Sequence, residues 1–226
     1  MKLRASQVGK VMASSRGANL SVGAKSYIQG LAKEHILGRK IDFTSKYTNK
    51  GNECEQEGID LLSEVRDDLP FLVKNEEYFE NDLFTGTPDI LTEDYVIDIK
   101  CSFNMDTFPM FKDSIPNKDY IYQLQTYMHL ADRSKAMLVY CLVDTPEYII
   151  KREVRDALKD VDENDSDCLM FTEIGVRNKH TFTEDSMKYR VKIFEIERSQ
   201  ETIIEMESKA MACQEYFNQL ISEINE

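Results

Sequence analysis

The sequence predicts an α/β fold in which helices flank a mixed central β-sheet and a long C-terminal helix follows. Two observations support this prediction. Helical periodicity dominates the first 65 residues and returns after Ser199, whereas β-like runs occupy residues 71–101 and 136–143. A chain of 226 residues can bury one substantial core, so we expect a single domain over residues 1–226.

The N-terminal part of the chain is predicted to be helical. Ser6 is a plausible N-cap for a short first helix. A second helix is predicted over about residues 23–37, and Gly38 would end it. Residues 39–49 are expected to form a loop, and a third helix is expected over about residues 50–65.

The middle of the chain is predicted to form strands. Leu83–Leu91 and Tyr95–Cys101 are separated by a short polar turn, which is typical of a β-hairpin. A further strand is expected near residues 76–80. Residues 103–118 contain two prolines and are expected to form an irregular connection.

The remaining elements complete the predicted domain. Asp119–Leu130 has helical character, and the continuous apolar run at 136–143 fits a strand buried on both faces. We therefore place the core at about residues 1–150. Residues 156–185, which begin with an acidic, turn-rich stretch, are expected to be a loop or insertion, and residues 188–226 to supply a C-terminal strand and helix.

The composition excludes several classes of protein. With 28 Lys+Arg against 41 Asp+Glu, the net charge is −13, which excludes a broadly basic nucleic-acid binder. No apolar run approaches the roughly 18 residues of a membrane span, and the N-terminus lacks the apolar region of a secretory signal. The five scattered cysteines show no metal-ligand spacing and favour reduced thiols. We therefore expect a cytoplasmic protein.

The stretch richest in chemistry is Thr85–Lys100, where Pro88-Asp89 precedes the strand Val96-Ile97-Asp98-Ile99-Lys100. Side chains alternate between the faces of a strand, so Asp98 and Lys100 share one face. The hairpin can bring Asp89 beside them. Two neighbouring carboxylates repel each other, and a cation between them would remove this repulsion. Oxygen ligands suit Mg²⁺ or Mn²⁺. Such a cation can align a water and stabilise a scissile phosphate, and Lys100 can orient or help to deprotonate that water.

An alternative interpretation stays open for this pattern. Charged residues on the solvated face of a hairpin often produce Asp…Asp-x-Lys without any catalytic role. The acidic and basic side chains here, however, interrupt an otherwise Val/Ile strand. Glu55 could add a carboxylate from the upstream helix, although Glu53 or Glu57 could take that place. Gln123 and Tyr127 are spaced i, i+4 and could reach the same ligand.

Together these motifs resemble the PD-(D/E)xK nuclease signature. More narrowly, the chain resembles the phage lambda exonuclease, or YqaJ-type viral recombinase, family over about residues 1–143, and more weakly beyond. The motifs that carry the resemblance, in order, are a Ser-containing opening helix at Leu3–Val8, Gly51-x-x-x-Glu55, Pro88-Asp89…Asp98-Ile99-Lys100, and Gln123-Leu124-Gln125-Thr126-Tyr127. The resemblance implies a PD-(D/E)xK, restriction-endonuclease-like core.

The resemblance also implies roles for individual residues. Glu55, Asp89 and Asp98, with the backbone carbonyl of Ile99, would hold one or two Mg²⁺ (or Mn²⁺) ions. Lys100 would serve the nucleophilic water. Gln123 would contact DNA or the residues around the metal, with Tyr127 as a neighbour on the same helix face. Ser6 would contact a 5′-phosphate, although it could equally be only a helix cap, and Tyr127 could simply pack under the sheet.

The chain also departs from the family pattern. It has no Trp and begins almost at the Ser-containing helix, whereas family members usually carry a Trp- and Arg-containing segment before it. The loop after the signature often supplies an arginine for the 5′-phosphate, but here Asp106 would repel phosphate. Arg4, Arg16 and Lys112 are possible substitutes.

The resemblance implies a metal-dependent 5′→3′ exonuclease that digests one strand of duplex DNA and leaves 3′ single-stranded tails for recombination. It also implies a homo-oligomer, a ring-like trimer, that passes its product to a single-strand annealing protein in a bacterial or phage-infected cell. Three alternatives remain. They are another PD-(D/E)xK nuclease (Cas4-like, repair or structure-specific), a non-catalytic DNA-end-binding or assembly protein on this fold, and an interaction protein that oligomerises through its last helix.

Overall fold

A computed structural model describes residues 1–13, 19–40, 45–69, 71–183 and 185–225 of the chain. The strands form two sheets. The smaller sheet has the order β1-β3-β2 and the larger one the order β4-β5-β6-β7. The strands are β1 (Leu3–Arg4), β2 (Phe79–Glu80), β3 (Phe84–Gly86), β4 (Ile90–Leu91), β5 (Tyr95–Cys101), β6 (Lys135–Cys141) and β7 (Val191–Glu197).

The larger sheet is mixed, as the sequence predicts. Strands β5 and β6 are parallel along their whole length, whereas β4 and β7 pair antiparallel on the outside. The helices of the described ranges are α1 (Val8–Met12), α2 (Val22–Leu37), α3 (Lys46–Glu53), α4 (Glu55–Val65), α5 (Lys118–Leu130), α6 (Glu147–Ala157), α7 (Ser166–Asn178) and α8 (Gln200–Asn225). None of them combines the length and the hydropathy that a bilayer-spanning helix needs.

Helices cover both faces of the larger sheet. On one face, Ile97 and Ile99 of β5 pack with Ile59 and Leu62 of α4. On the other face, apolar residues of α5 pack against β5 and β6. This double cover explains why β6 is a continuous apolar run. A third cluster joins α1, α2 and α8 beside the smaller sheet.

Several predicted elements are confirmed with small shifts of boundary. Helix α2 ends at Gly38, which adopts the left-handed conformation at φ 60° that favours glycine. Helix α5 and strand β6 each begin one residue before their predicted start. Ser199 precedes the last helix, and its hydroxyl accepts the N–H of Thr202 at 3.2 Å.

Other predicted elements are wrong in detail. The helix expected over residues 50–65 is two helices that meet at Cys54, and α3 begins at Lys46, inside the predicted loop. The strand Leu83–Leu91 is interrupted at residues 87–89, so that β3 and β4 belong to different sheets. Only Phe79–Glu80 of the strand expected near 76–80 is extended in a sheet.

Two further expectations are corrected. Ser6 is not a helix N-cap, because it lies inside a single 3₁₀ turn and Gln7 precedes α1 without a side-chain cap. The segment 156–185, expected to be a loop or insertion, contains the 13-residue helix α7. Asp165 caps this helix by accepting the N–H of Cys168 at 2.9 Å, a local signal that the acidic composition obscured.

Candidate active site

The interruption between β3 and β4 places Asp89 at the edge of β5. Strand β4 pairs only Ile90 with Ile97 and Leu91 with Val96, so β5 has no strand partner beyond Ile97 on this side. The Asp89 carboxylate replaces the missing strand, because its Oδ2 accepts the Ile99 N–H at 2.7 Å. The N–H and C=O of one strand residue point to the same edge, so the Ile99 carbonyl lies on this side too.

Asp98 is the most deeply buried acid of the site, with 1% of its surface exposed. Its Oδ1 accepts a hydrogen bond from Gln123 Nε2 at 2.8 Å, and its Oδ2 lies 2.5 Å from Lys100 Nζ. The Lys100 ammonium also lies over the ring of Tyr120, 5.0 Å from its centre. The alternation of β5 therefore sets Asp98 and Lys100 side by side, as predicted.

Glu55 is the helical carboxylate that reaches this place. It is the first residue of α4, and its Oε1 lies 2.8 Å from Lys74 Nζ. The other two candidates point elsewhere: Glu53 accepts a hydrogen bond from the Tyr148 hydroxyl at 2.5 Å, and Glu57 lines a separate cavity. Of the three glutamates, Glu55 is the one beside Asp89 and Asp98.

One cleft of about 520 Å³ gathers these groups. Its lining contains the three carboxylates, Lys100 and several aromatic side chains. The lining includes Ser6, Tyr47, Glu55, Asp89, Asp98, Ile99, Lys100, Phe103, Tyr120, Gln123 and Tyr140. The cleft therefore presents acidic oxygens, one ammonium group and apolar surface together.

The charges in the cleft are strongly coupled. Burial, and after it the nearby Asp98 carboxylate, raise the pKa of Asp89 to about 7, although Lys100 opposes the shift. Burial likewise raises the pKa of Asp98, while Lys100 opposes the shift. For Lys100, burial lowers the pKa, but the carboxylates of Asp98 and Asp89 outweigh it and leave the pKa above its ordinary value. The site thus holds three carboxylates, Glu55, Asp89 and Asp98, but only two neutralising lysines, Lys74 and Lys100, among the described residues.

The donor set fits a divalent cation bound by oxygen. Apart from their lysine ion pairs, Glu55 Oε1 and Asp98 Oδ2 are buried oxygens without a hydrogen-bond donor among the described residues. Buried carboxylate oxygens that have a lysine ammonium as their one neighbouring donor keep lone pairs available for a metal ion. In the same ranges, no three His, Cys, Asp or Glu side chains are gathered closely enough to form a ready-made metal cluster. Lysine ammonium groups instead neutralise two of the three acids.

The residues predicted to bind DNA are distributed unevenly. Ser6 is exposed and lines the cleft, and Gln123 lines it while bonded to Asp98. The expectation that Tyr127 contacts DNA is corrected, and the alternative that it packs under the sheet fits the structure. Tyr127 is buried and does not line the cleft, and its hydroxyl accepts a second hydrogen bond from Gln123 at 3.1 Å. Arg4 is exposed on β1 outside the cleft lining, and Arg16 falls outside the described residues.

The loop after the signature repels phosphate less than expected, because the charge of Asp106 is paired. Asp106, expected to repel phosphate, forms an ion pair with Lys179 at 2.8 Å. Lys112 is exposed but does not line the cleft. No residue of this loop therefore supplies the missing arginine.

Sequence reasoning missed Lys74, Tyr120 and Tyr140. Lys74 lies in an irregular segment with no periodic pattern, so nothing local indicated that it pairs with Glu55. Tyr140 could have been found, because in the parallel register it is the partner of Lys100 on the next strand. Tyr120 occupies the first turn of the helix that carries Gln123, one turn before it.

Comparison with known proteins identifies the fold and the family. No protein-family profile and no curated protein matches the sequence. Among solved structures, a phage-related exonuclease from Haemophilus somnus 129PT is similar at 30% identity and a TM-score of 0.80, over 99% of this chain and 96% of that one. The alkaline exonuclease LHK-Exo from Laribacter hongkongensis is similar at 18% identity and a TM-score of 0.66, over 99% and 91% of the two chains.

LHK-Exo has also been solved in complex with dAMP, and that structure gives a TM-score of 0.64 at 18% identity. At this identity the likeness to LHK-Exo concerns the fold alone. The likeness to the Haemophilus protein is closer and spans nearly the whole of both chains. With the acidic cleft and the ordered motifs, it shows that the chain belongs to the family of phage lambda exonuclease and the YqaJ-type viral recombinases, and is a nuclease on the PD-(D/E)xK fold.

Proposed function

We propose that this nuclease is a Mg²⁺-dependent DNA exonuclease that digests one strand of duplex DNA from its 5′ end and leaves 3′ single-stranded tails for recombination. The observation that carries the proposal is the convergence of Glu55, Asp89 and Asp98 on one cleft, with Lys100 Nζ 2.5 Å from Asp98. Mn²⁺ would serve in place of Mg²⁺, because both prefer oxygen ligands.

Glu55, Asp89, Asp98 and the Ile99 carbonyl are the residues that would hold one or two cations. A bound cation would lower the pKa of a water molecule and neutralise charge on the scissile phosphate. The backbone of β5 fixes Asp98 and the Ile99 carbonyl, and the hydrogen bond to the Ile99 N–H fixes Asp89. The acids are thus held on rigid elements, which limits their movement during the reaction.

Lys100 would orient the attacking water and offset negative charge as it develops. Its ammonium group is positioned by Asp98 on one side and the Tyr120 ring on the other. Because the neighbouring carboxylates favour its charged form, Lys100 fits the role of a hydrogen-bond donor and fixed positive charge better than that of a proton acceptor.

Substrate and partners follow from the family rather than from the cleft itself. We expect a double-stranded DNA end as the substrate, a homo-oligomer, a trimer by resemblance, as the working form, and a single-strand annealing protein as the recipient of the product. Ser6 is the described candidate for contact with the 5′ end, since it is exposed and lines the cleft. We expect the enzyme to work in the cytoplasm of a bacterial or phage-infected cell.

Digestion of end-labelled linear duplex tests the proposal. Wild type with Mg²⁺ should shorten only the 5′-ended strand, should prefer a 5′-phosphate over a 5′-hydroxyl, and should leave closed circular DNA intact. Lys100→Ala should lose at least about 100-fold in rate, whereas Lys159→Ala, which changes an exposed lysine outside the cleft, should not.

Each contrary result would indicate a different function or refute the proposed site. Cleavage of circular DNA would indicate an endonuclease of the same superfamily. DNA binding without Mg²⁺-dependent cleavage would indicate a DNA-end-binding protein. Equal rates for wild type and Lys100→Ala would refute the proposed site.

A further inference from the structure

Lys74 is held beside the proposed site by the residue that follows it. The Asn75 N–H donates to the Asp89 carbonyl at 2.7 Å, and Asn75 Nδ2 donates to the Pro88 carbonyl at 3.0 Å. These two bonds fix the irregular segment after α4 against the Pro88-Asp89 turn. The backbone of Lys74 is therefore anchored next to one of the proposed metal ligands, although it belongs to no helix or strand.

The Lys74 side chain extends from this anchor to another proposed ligand. Its Nζ lies 2.8 Å from Glu55 Oε1, and half of its side chain is exposed. The hydrogen bond to Glu55 and its charge, together with the charge of Asp89, raise the pKa of Lys74. The ammonium group thus neutralises the same carboxylate oxygen that a divalent cation on Glu55 would use.

A divalent cation and an ammonium group cannot both stay on the same carboxylate oxygen without strong repulsion. A lysine side chain that is half exposed can move away at little cost, because its backbone anchor does not depend on the ion pair. The charges of Asp89 and Glu76 also attract the ammonium group, and a phosphate of the DNA strand would be a further partner once Glu55 holds the cation.

We propose that Lys74 neutralises Glu55 only while no divalent cation is bound, and contacts a phosphate of the DNA strand once the cation has displaced it. This inference rests on the proposed function for its substrate. It makes Lys74 both a competitor for the metal and a contact for DNA, two roles that are measured separately.

Metal titration in the absence of DNA tests the first role. Calorimetry with Mn²⁺ should show that Lys74→Met binds the ion about two- to fivefold more tightly than wild type, the range expected from losing a partly exposed ion pair. Lys74→Arg should bind like wild type. Lys159→Met removes an ion-paired lysine outside the cleft, 2.6 Å from Asp156, and should change nothing.

DNA binding at saturating Mn²⁺ tests the second role, in a Lys100→Ala background that slows cleavage of the duplex. Adding Lys74→Met should reduce the slope of log affinity against log salt by about one, as the loss of one phosphate contact does. Lys74→Arg should preserve the slope. An Mn²⁺ affinity equal to that of wild type, or an unchanged slope, overturns the inference. The titration needs no cleavage, so failure of the proposed nuclease activity would be recognised separately.

Discussion

At the scale of the residue, the least expected group is Lys50. Its ammonium group is fully buried and donates to the carbonyl oxygens of Phe103 at 3.1 Å and Val143 at 2.9 Å, and to the Thr145 hydroxyl at 2.8 Å. Phe103 follows β5 and Val143 follows β6, so Lys50 ties α3 to the ends of the two central strands. Because all three acceptors are neutral, burial prevails and lowers the pKa of Lys50 from 10.5 to about 8.

The lowered pKa predicts a specific dependence of stability on pH. Between about pH 8 and 10.5 the unfolded chain keeps the Lys50 proton while the folded chain loses it. The contribution of Lys50 to the free energy of unfolding therefore increases as pH rises through this window. Below about pH 8 the folded chain keeps the proton, and the full cost of burying the charge lowers the stability. Burial raises the pKa of several thiols and tyrosines in the folded protein, so these groups titrate in the same range only in the unfolded chain and also change the stability. The difference between wild type and Lys50→Met therefore isolates the effect of Lys50.

Urea unfolding at pH 7, 8, 9 and 10 measures this difference. Wild type should become more stable relative to Lys50→Met at each step above pH 8. A difference that is constant from pH 7 to 10 would show that Lys50 keeps an ordinary pKa.

Gln123 offers a second test at this scale. It holds Asp98 through one hydrogen bond and Tyr127 through another, so Gln123→Ala should weaken Mn²⁺ binding or slow cleavage by about 10- to 100-fold. Gln125 on the same helix is an internal control. It is buried too, but bonds the backbone of Glu197 and Ser199.

Gln125→Ala should therefore lower the free energy of unfolding by about 1–3 kcal/mol and leave the Mn²⁺ affinity unchanged. Calorimetric titration and urea unfolding of both variants separate the two effects. Equal losses of affinity in the two variants would show that Gln123 acts only through stability.

At the scale of the element, the approach of α4 to β5 determines the site. Gly58 makes that approach possible, because a Cβ atom there would lie 2.8 Å from Ile99 Cγ2 and 3.2 Å from Cys101 Sγ. Ile99 is buried and β-branched, so it cannot rotate away cheaply. Glu55 stands at the start of this helix, and the Ile99 backbone bonds Asp89, so the spacing of the two elements sets the spacing of the acids.

Gly58→Ala should therefore destabilise the protein by about 1–3 kcal/mol, although alanine is the better helix former. It should also slow cleavage, because Glu55 moves with its helix. Gly30→Ala in α2 is the matched control, since a Cβ there meets no atom within 4 Å. That variant should be more stable by about 0.5–1 kcal/mol. Thermal unfolding and initial rates of both variants check the prediction.

At the scale of the whole molecule, the net charge of −13 opposes the approach of DNA. Part of this charge lies in the cleft, where bound cations would reverse it locally. In the Lys100→Ala background, removal of divalent ions with EDTA should therefore weaken duplex binding at least about 10-fold relative to Mg²⁺. Fluorescence anisotropy at constant ionic strength measures this, and equal affinities would show that DNA is bound elsewhere.

Local sequence patterns were sufficient to predict many of the helices and strands of this molecule. Helices α2 and α5, strand β6 and the last helix follow from periodicity and from end signals such as Gly38 and Ser199. The shared face of Asp98 and Lys100 also needed only the alternation of one strand. The assignment of residues 1–226 to a single domain stays a prediction, as do the roles of the site residues.

The sequence by itself thus determined the mixed α/β order, the Asp98-x-Lys100 pair on β5 and the resemblance to a nuclease family. Each element and each motif is a short local pattern, and the resemblance follows from the order of these motifs along the chain. Only the tertiary structure decided which glutamate enters the cleft, that Tyr127 is buried behind Gln123, and that Lys74 pairs with Glu55. These depend on how α4, α5 and the segment after α4 pack against β5. Such packing joins residues that are distant in sequence and therefore leaves no local pattern to read.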